Sequence, residues 1–65
     1  MNINKLRAKI VEKGLNVESF SRLIGVNRSS MYRKLNNGRF TITEALRIKE
    51  ALELSTKEAS DIFFN

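Results

Sequence analysis

The chain has no cysteine, no histidine and no proline among its 65 residues, and these absences narrow its chemistry. Without Cys and His it can form neither a disulfide scaffold nor a zinc finger, and it lacks the side chains of the usual His-centred or Cys-centred catalysis. No apolar run approaches the roughly 20 residues that a membrane-spanning helix requires. We therefore expect a cytoplasmic protein with no metal, no cofactor and no membrane partner.

The secondary structure is predicted to be helical throughout. Apolar residues recur at helical spacing in five segments, and no segment alternates apolar and polar residues as a half-buried strand does. The predicted helices cover about residues 3–13, 16–24 and 28–35, and two more start at the capping boxes of Thr41 and Ser55. No linker or repeat separates them, so the sequence predicts one all-α domain over residues 1–65.

Each predicted helix has an apolar face that we expect to form the core, because a domain of this size can leave few large apolar residues outside it. Val11 lies at the margin of the first face. The expected core residues are Ile3, Leu6, Ile10, Val11, Val17, Phe20, Leu23, Ile24, Met31, Leu35, Phe40, Ala45, Ile48, Leu52, Ala59, Ile62 and Phe63.

Charge is distributed unevenly along the chain. Residues 1–39 carry nine Lys and Arg against two Glu, a balance of +7, whereas residues 40–65 carry three basic against five acidic residues, a balance of −2. A solvated basic helix face is the plain interpretation of such a distribution. An asymmetry this large on so short a chain nevertheless favours a polyanionic partner.

The stretch "GLNVESFSRLIGVNRSSMYRKLNNG" (14–38) places two helices around a three-residue break that starts at Gly25. The small Ser21, the Gly four positions later and the apolar Val26 and Met31 together restrict the angle between the two helices. In this pattern the stretch resembles the helix-turn-helix of the phage repressor and Cro family of DNA-binding proteins. Residues 40–64 resemble the helices that follow the motif in small phage-type repressors.

The resemblance implies a set of DNA contacts, since the second helix of the motif lies in the major groove in this family. It places Asn27, Arg28, Ser29, Tyr32 and Arg33 where relatives contact bases; Tyr32 could equally lie along the domain surface. It places Asn16, Asn36, Asn37 and Arg39 where relatives bind phosphates. We expect Lys34 to bind a phosphate as well, because it belongs to the basic half of the chain. Many relatives carry Gln at the first position of the motif, where this chain has Val17.

Leu46 and Phe64 do not fit the inward faces of their helices. Two such apolar residues near the C-terminal end suggest a surface for self-association. The family binds as two-fold dimers on near-palindromic sites, so the resemblance implies a homodimer on DNA and an operator that is an inverted repeat.

The function implied is that of a transcriptional repressor of Cro or repressor type, from a phage or prophage, acting at the nucleoid of a bacterial host cell. A protein-interaction module on the same fold, such as an antitoxin or anti-repressor, is the alternative, and it would use Leu46 and Phe64 for a protein partner. We do not expect an enzyme or a small-molecule substrate, because the carboxylates are scattered over predicted solvent faces and no nucleophile is paired with a base.

Overall fold

The computed structural model describes residues 1–64 and consists there of five α-helices without a strand. They are α1 (Ile3–Glu12), α2 (Val17–Ile24), α3 (Arg28–Asn37), α4 (Ile42–Ala51) and α5 (Thr56–Phe63). This confirms the predicted all-α fold. The end of α3 differs from the prediction, because Asn36 and Asn37 extend the helix and the chain turns only at Gly38. None of these helices is both long enough and apolar enough to cross a bilayer.

Every helix begins with a side chain that accepts a hydrogen bond from a backbone N–H of its first turn. The predicted capping boxes at Thr41 and Ser55 are confirmed, with Glu44 and Glu58 as their reciprocal partners. A third box, between Asn16 and Ser19, was not predicted, because Ser rather than Glu or Gln closes it. Each such cap stabilises a helix by about 1 kcal/mol, which keeps these short helices defined at their starts.

The buried core contains residues from all five helices and from the loop between α4 and α5, which contributes Leu52 and Leu54. Its fully buried members are Leu6, Phe20, Ile24, Met31, Leu35, Ile48, Leu52 and Ile62. The expected core residues Ile3, Val17, Phe40 and Phe63 are partly buried and pack against its edge, and Ala45 is also only partly buried.

The prediction of a core position is wrong for two residues. Val11 is 73% exposed and Leu23 is 57% exposed. With 3.6 residues per turn, the positions of the buried residues on each helix fix the direction of every other side chain. Val11 and Leu23 each project about 110° away from the centre of the buried face of their helix. Apolar character alone therefore misplaced residues at the margins of the helical faces.

The first and last helices are joined by polar contacts that tie the two ends of the domain together. The Asn2 N–H donates to the Ile62 carbonyl oxygen at 2.7 Å, and the Lys9 Nζ lies 2.5 Å from Glu58 Oε2. The Lys9 ammonium, with the N–H and hydroxyl of Ser55, lowers the pKa of the Glu58 carboxyl to about 2. Glu58 was predicted on a solvent face, and it instead joins α5 to α1.

Candidate nucleic-acid interface

The corner between α2 and α3 has the geometry that the sequence predicted. Gly25 adopts a left-handed conformation with φ of 78°, and its N–H and that of Val26 both donate to the Ser21 carbonyl oxygen at 2.9 and 3.0 Å. The Val26 side chain packs against the core, and Asn27 caps α3 by accepting from the Ser30 N–H at 2.8 Å. The chain thus ends one helix and begins the next within three residues.

Ser21 allows the close approach of helices at this corner. It is the only buried polar residue among residues 1–64, and its hydroxyl donates to the Val17 carbonyl oxygen at 2.6 Å. Because the hydroxyl is hydrogen-bonded within its own helix, Ser21 can be buried without leaving an unpaired polar atom. Its small side chain lets the neighbouring helix pack closely. The predicted role of Ser21 as the small residue of the motif agrees with this burial.

Arg47 of α4 forms a hydrogen bond with the corner between α2 and α3, and the sequence did not predict this contact. Its Nη1 donates to the Ile24 carbonyl oxygen at 3.2 Å, at the C-terminal end of α2. That end carries the partial negative charge of the helix dipole, which a guanidinium complements. The two residues are 23 positions apart, so no local pattern in the sequence could indicate the contact.

The outward surface of α3 carries the side chains that were predicted to contact bases. Arg28, Ser29, Tyr32 and Arg33 are all exposed, and they lie away from the buried Met31 and Leu35. No carboxylate among residues 1–64 forms an ion pair with Arg33. A long, unpaired guanidinium on an exposed helix face can donate two hydrogen bonds in one plane to an external acceptor.

Arg28 differs from Arg33 because it faces an acidic neighbour. Its Nη1 lies 3.9 Å from Glu18 Oε2, and Arg22 Nη1 lies 3.4 Å from the other oxygen of that carboxylate. All three side chains are more than half exposed, so solvent weakens these pairs. Glu18 therefore holds Arg28 loosely and leaves it able to turn to another partner.

Asn16, Asn27 and Asn37 share one arrangement around this surface. The side-chain oxygen of each accepts a backbone N–H, from Ser19 at 2.8 Å, Ser30 at 2.8 Å and Arg39 at 2.9 Å respectively. Each amide nitrogen donates no hydrogen bond within the described chain. The backbone contacts thus orient exposed N–H donors, which suit acceptors such as phosphate oxygens.

The predicted phosphate-binding residues do not all have the same environment. Asn36 and Asn37 are exposed in the last turn of α3, and Arg39 is exposed just beyond Gly38 without an ion pair among residues 1–64. Lys34 is different: only 22% of its side chain is exposed, and its Nζ lies 3.2 Å from Glu44 Oε1. Lys34 therefore already has an anionic partner within the domain.

Glu44 was also predicted on a solvent face, and it is instead mostly enclosed, with 15% of its side chain exposed. Burial opposes its ionisation, but the N–H of Thr41 and the Lys34 ammonium outweigh that effect and lower the pKa of the Glu44 carboxyl below its ordinary value. Its Oε1 accepts from the Thr41 N–H at 2.8 Å. One carboxylate thus caps α4 and holds Lys34 of α3.

An apolar groove lies away from the exposed face of α3. It is lined by the apolar residues that were predicted not to fit the inward faces of their helices. Leu46 and Phe64 are exposed as predicted, and Ile42, which is 82% exposed, joins them. The groove has a volume of about 310 Å³ and also includes Phe40 and Phe63 in its walls. Ile42 was missed because it lies inside the predicted capping box, where only its polar neighbours were interpreted.

The compact arrangement of α2, the left-handed turn and α3, with a basic and polar exposed face, defines a helix-turn-helix DNA-binding domain. Comparison with models of protein families bears this out. A model of the Cro/C1-type HTH DNA-binding domain matches residues 5–62, and the chain belongs to that family. Searches of curated proteins and of solved structures gave no significant match.

Proposed function

We propose that this chain is a sequence-specific transcriptional repressor of phage or prophage type, which occupies a double-stranded DNA operator by inserting α3 into the major groove. The observation that carries the proposal is the exposed face of α3, where Arg33 stands without an ion pair in the described chain. Binding an operator in the bacterial nucleoid would block access of polymerase. The family establishes DNA binding, and the repressor role is our inference.

The base-reading residues of this proposal are those on and just before the first two turns of α3. Arg33 reads guanine, because its planar fork matches the O6 and N7 acceptors of that base. Ser29 and Tyr32 flank it on the exposed face, and Asn27 and Arg28 lie at the leading end of the helix. Arg28 contributes less to discrimination, since its contact with Glu18 shows that it can turn toward an anion beside the helix.

The phosphate-binding residues lie at both ends of the helix-turn-helix. Asn16 presents its amide N–H groups at the start of α2, where the helix dipole also favours an anion. Asn36, Asn37 and Arg39 present donors around the end of α3. Contacts at both ends would fix the orientation of α3 in the groove and leave sequence discrimination to the residues between them.

We further propose that two copies associate on DNA through the apolar groove of Ile42, Leu46 and Phe64. Ile42 and Leu46 lie four residues apart on α4, on the side opposite Glu44 and Arg47, which face α3 and α2. A dimer formed there would leave both α3 helices free to bind DNA.

The substitution Leu46→Glu tests this dimer. It should weaken operator binding and remove the steep dependence of binding on protein concentration, while the preference for the half-site sequence is retained. An unchanged concentration dependence would contradict dimerisation through this groove.

The test of base reading is a binding profile over all single-base variants of a selected operator. Arg33→Ala should lose about 1 to 3 kcal/mol of discrimination at one symmetric pair of positions. Arg39→Ala is the matched control, because it removes an exposed Arg outside the predicted base-reading face. It should lower affinity evenly for all variants. If Arg33→Ala also lowers affinity evenly and leaves the profile unchanged, α3 does not read bases through Arg33.

A further inference from the structure

Lys34 and Glu44 join the third and fourth helices across the loop of residues 38–41. Lys34 lies one turn before the end of α3, and Glu44 lies in the first turn of α4. With 22% and 15% of their side chains exposed, they form a more enclosed pair than Arg28 and Glu18, whose side chains are 66% and 59% exposed. The pair therefore closes the loop that carries Arg39 and Phe40.

The carboxylate of this pair is held in place before Lys34 reaches it. Glu44 Oε1 accepts from the Thr41 N–H at 2.8 Å, and the Glu44 N–H donates to Thr41 Oγ1 at 3.1 Å. Exposed ion pairs contribute little, partly because both side chains must be ordered to form them. Here the cap orders one partner already, so the ion pair can fix the direction of α3 relative to α4.

The Lys34 side chain also projects from a side of α3 that could not reach deep into the major groove of DNA. It follows the fully buried Met31 by three residues, which places it about 60° from that side chain around the helix, whereas Arg33 lies about 160° from it. The Lys34 ammonium thus points along the domain toward α4. To reach a phosphate, Lys34 would have to break its ion pair with Glu44. The Glu44 carboxylate would then be poorly solvated and without its cationic partner.

We infer that Lys34 is a positioning residue: through Glu44 it sets the angle of α3 against α4, and it contributes to base discrimination without binding DNA. This inference rests on the proposed function of α3 as the base-reading helix, and it replaces the phosphate contact expected for Lys34. Side chains that read a ligand must be held within about 0.5 Å and 10 to 20° of their working geometry. A small change in the angle of α3 would therefore displace Arg33 from its base.

Three variants separate positioning from a phosphate contact. Lys34→Met keeps most of the aliphatic chain and removes the ammonium. Glu44→Gln removes the charge of the partner and keeps an oxygen that can cap α4. Arg39→Ala is the control for a phosphate contact, since Arg39 is exposed beside the same loop. Each would be measured by the slope of log K against log salt and by the single-base operator profile, at temperatures where circular dichroism shows the variant folded.

Positioning predicts that Lys34→Met leaves the salt slope unchanged and reduces the preference for the best base at the Arg33 position several-fold, and that Glu44→Gln does the same. Arg39→Ala should instead reduce the slope by about 0.9 for each protomer bound to the operator, with the profile unchanged. A phosphate contact predicts the opposite for the pair: Lys34→Met would lose slope, and Glu44→Gln would strengthen binding by releasing Lys34. Either of those results overturns the inference, as does a Lys34→Met variant that changes neither slope nor profile. A wild-type chain that shows no base preference at all would instead refute the proposed function.

Discussion

Replacing Gly25 by Ala tests how the corner of the helix-turn-helix is held. At φ of 78° an L-residue is destabilised by about 1 to 2 kcal/mol, and Ala recovers about 0.4 to 1 kcal/mol by restricting the unfolded chain. An added Cβ would also lie 3.4 Å from Arg47 Nη1, which donates to the Ile24 carbonyl oxygen. If the guanidinium must shift, up to the roughly 0.5 to 1.5 kcal/mol of one hydrogen bond is lost as well.

Gly14→Ala is the matched control, because Gly14 has φ of 72° and no atom within 4 Å of the added Cβ. We expect both variants to unfold at lower temperature, by about 4 to 8 °C for each kcal/mol in a domain of this size. Gly25→Ala should have the larger effect, and an Arg47→Ala background should remove the difference between them. The reasoning is refuted if neither variant lowers the melting temperature, or if the difference persists without Arg47.

Further predictions concern acid stability, backbone strain and the charge beside α3. Because the pKa of Glu58 is lowered to about 2 from an ordinary 4.5, its contribution to stability is present above pH 4.5 and is lost as the pH falls toward 2; unfolding followed by circular dichroism should show a weaker acid dependence in this window for Glu58→Gln. Glu53 has φ of 53°, so Glu53→Gly should stabilise the domain by up to about 1 kcal/mol in denaturant titrations, whereas Glu50→Gly inside α4 should destabilise it by a similar amount. Glu18→Gln should strengthen DNA binding several-fold at low salt by releasing Arg28, and an unchanged affinity in a salt titration would show that Glu18 does not compete with DNA for that side chain.

Local chemistry in the sequence predicted the parts of the fold that depend on neighbouring residues. The capping boxes at Thr41 and Ser55 and the cap at Asn27 were predictable because each acts within one turn of its own helix. The exposed face of α3 followed from the burial of Met31 and Leu35 at helical spacing. The helix-turn-helix itself was predicted from a resemblance to the repressor and Cro family, which rests on the spacing of Ser21, Gly25, Val26 and Met31.

Contacts between distant segments could not be predicted in the same way. The sequence assigned Lys34 to a DNA phosphate and gave no role to Arg47, because the partners of both are determined by how α4 packs beside α2 and α3. The exposure of Leu23 had the same origin, since the packing of Phe20 and Ile24 decided which side of α2 faces the core. Helical periodicity gives the faces of each helix, but it does not say where a face ends.

The most direct test of sequence-specific operator binding is selection of bound sequences from random duplex DNA by the wild-type chain. Two α3 helices related by a two-fold axis should enrich an inverted repeat with half-sites about one helical turn, roughly 10 base pairs, apart from centre to centre. Each half-site should contain a guanine whose enrichment disappears when the selection is repeated with Arg33→Ala. A pool in which no sequence is enriched, although the chain binds duplex DNA, would contradict the account.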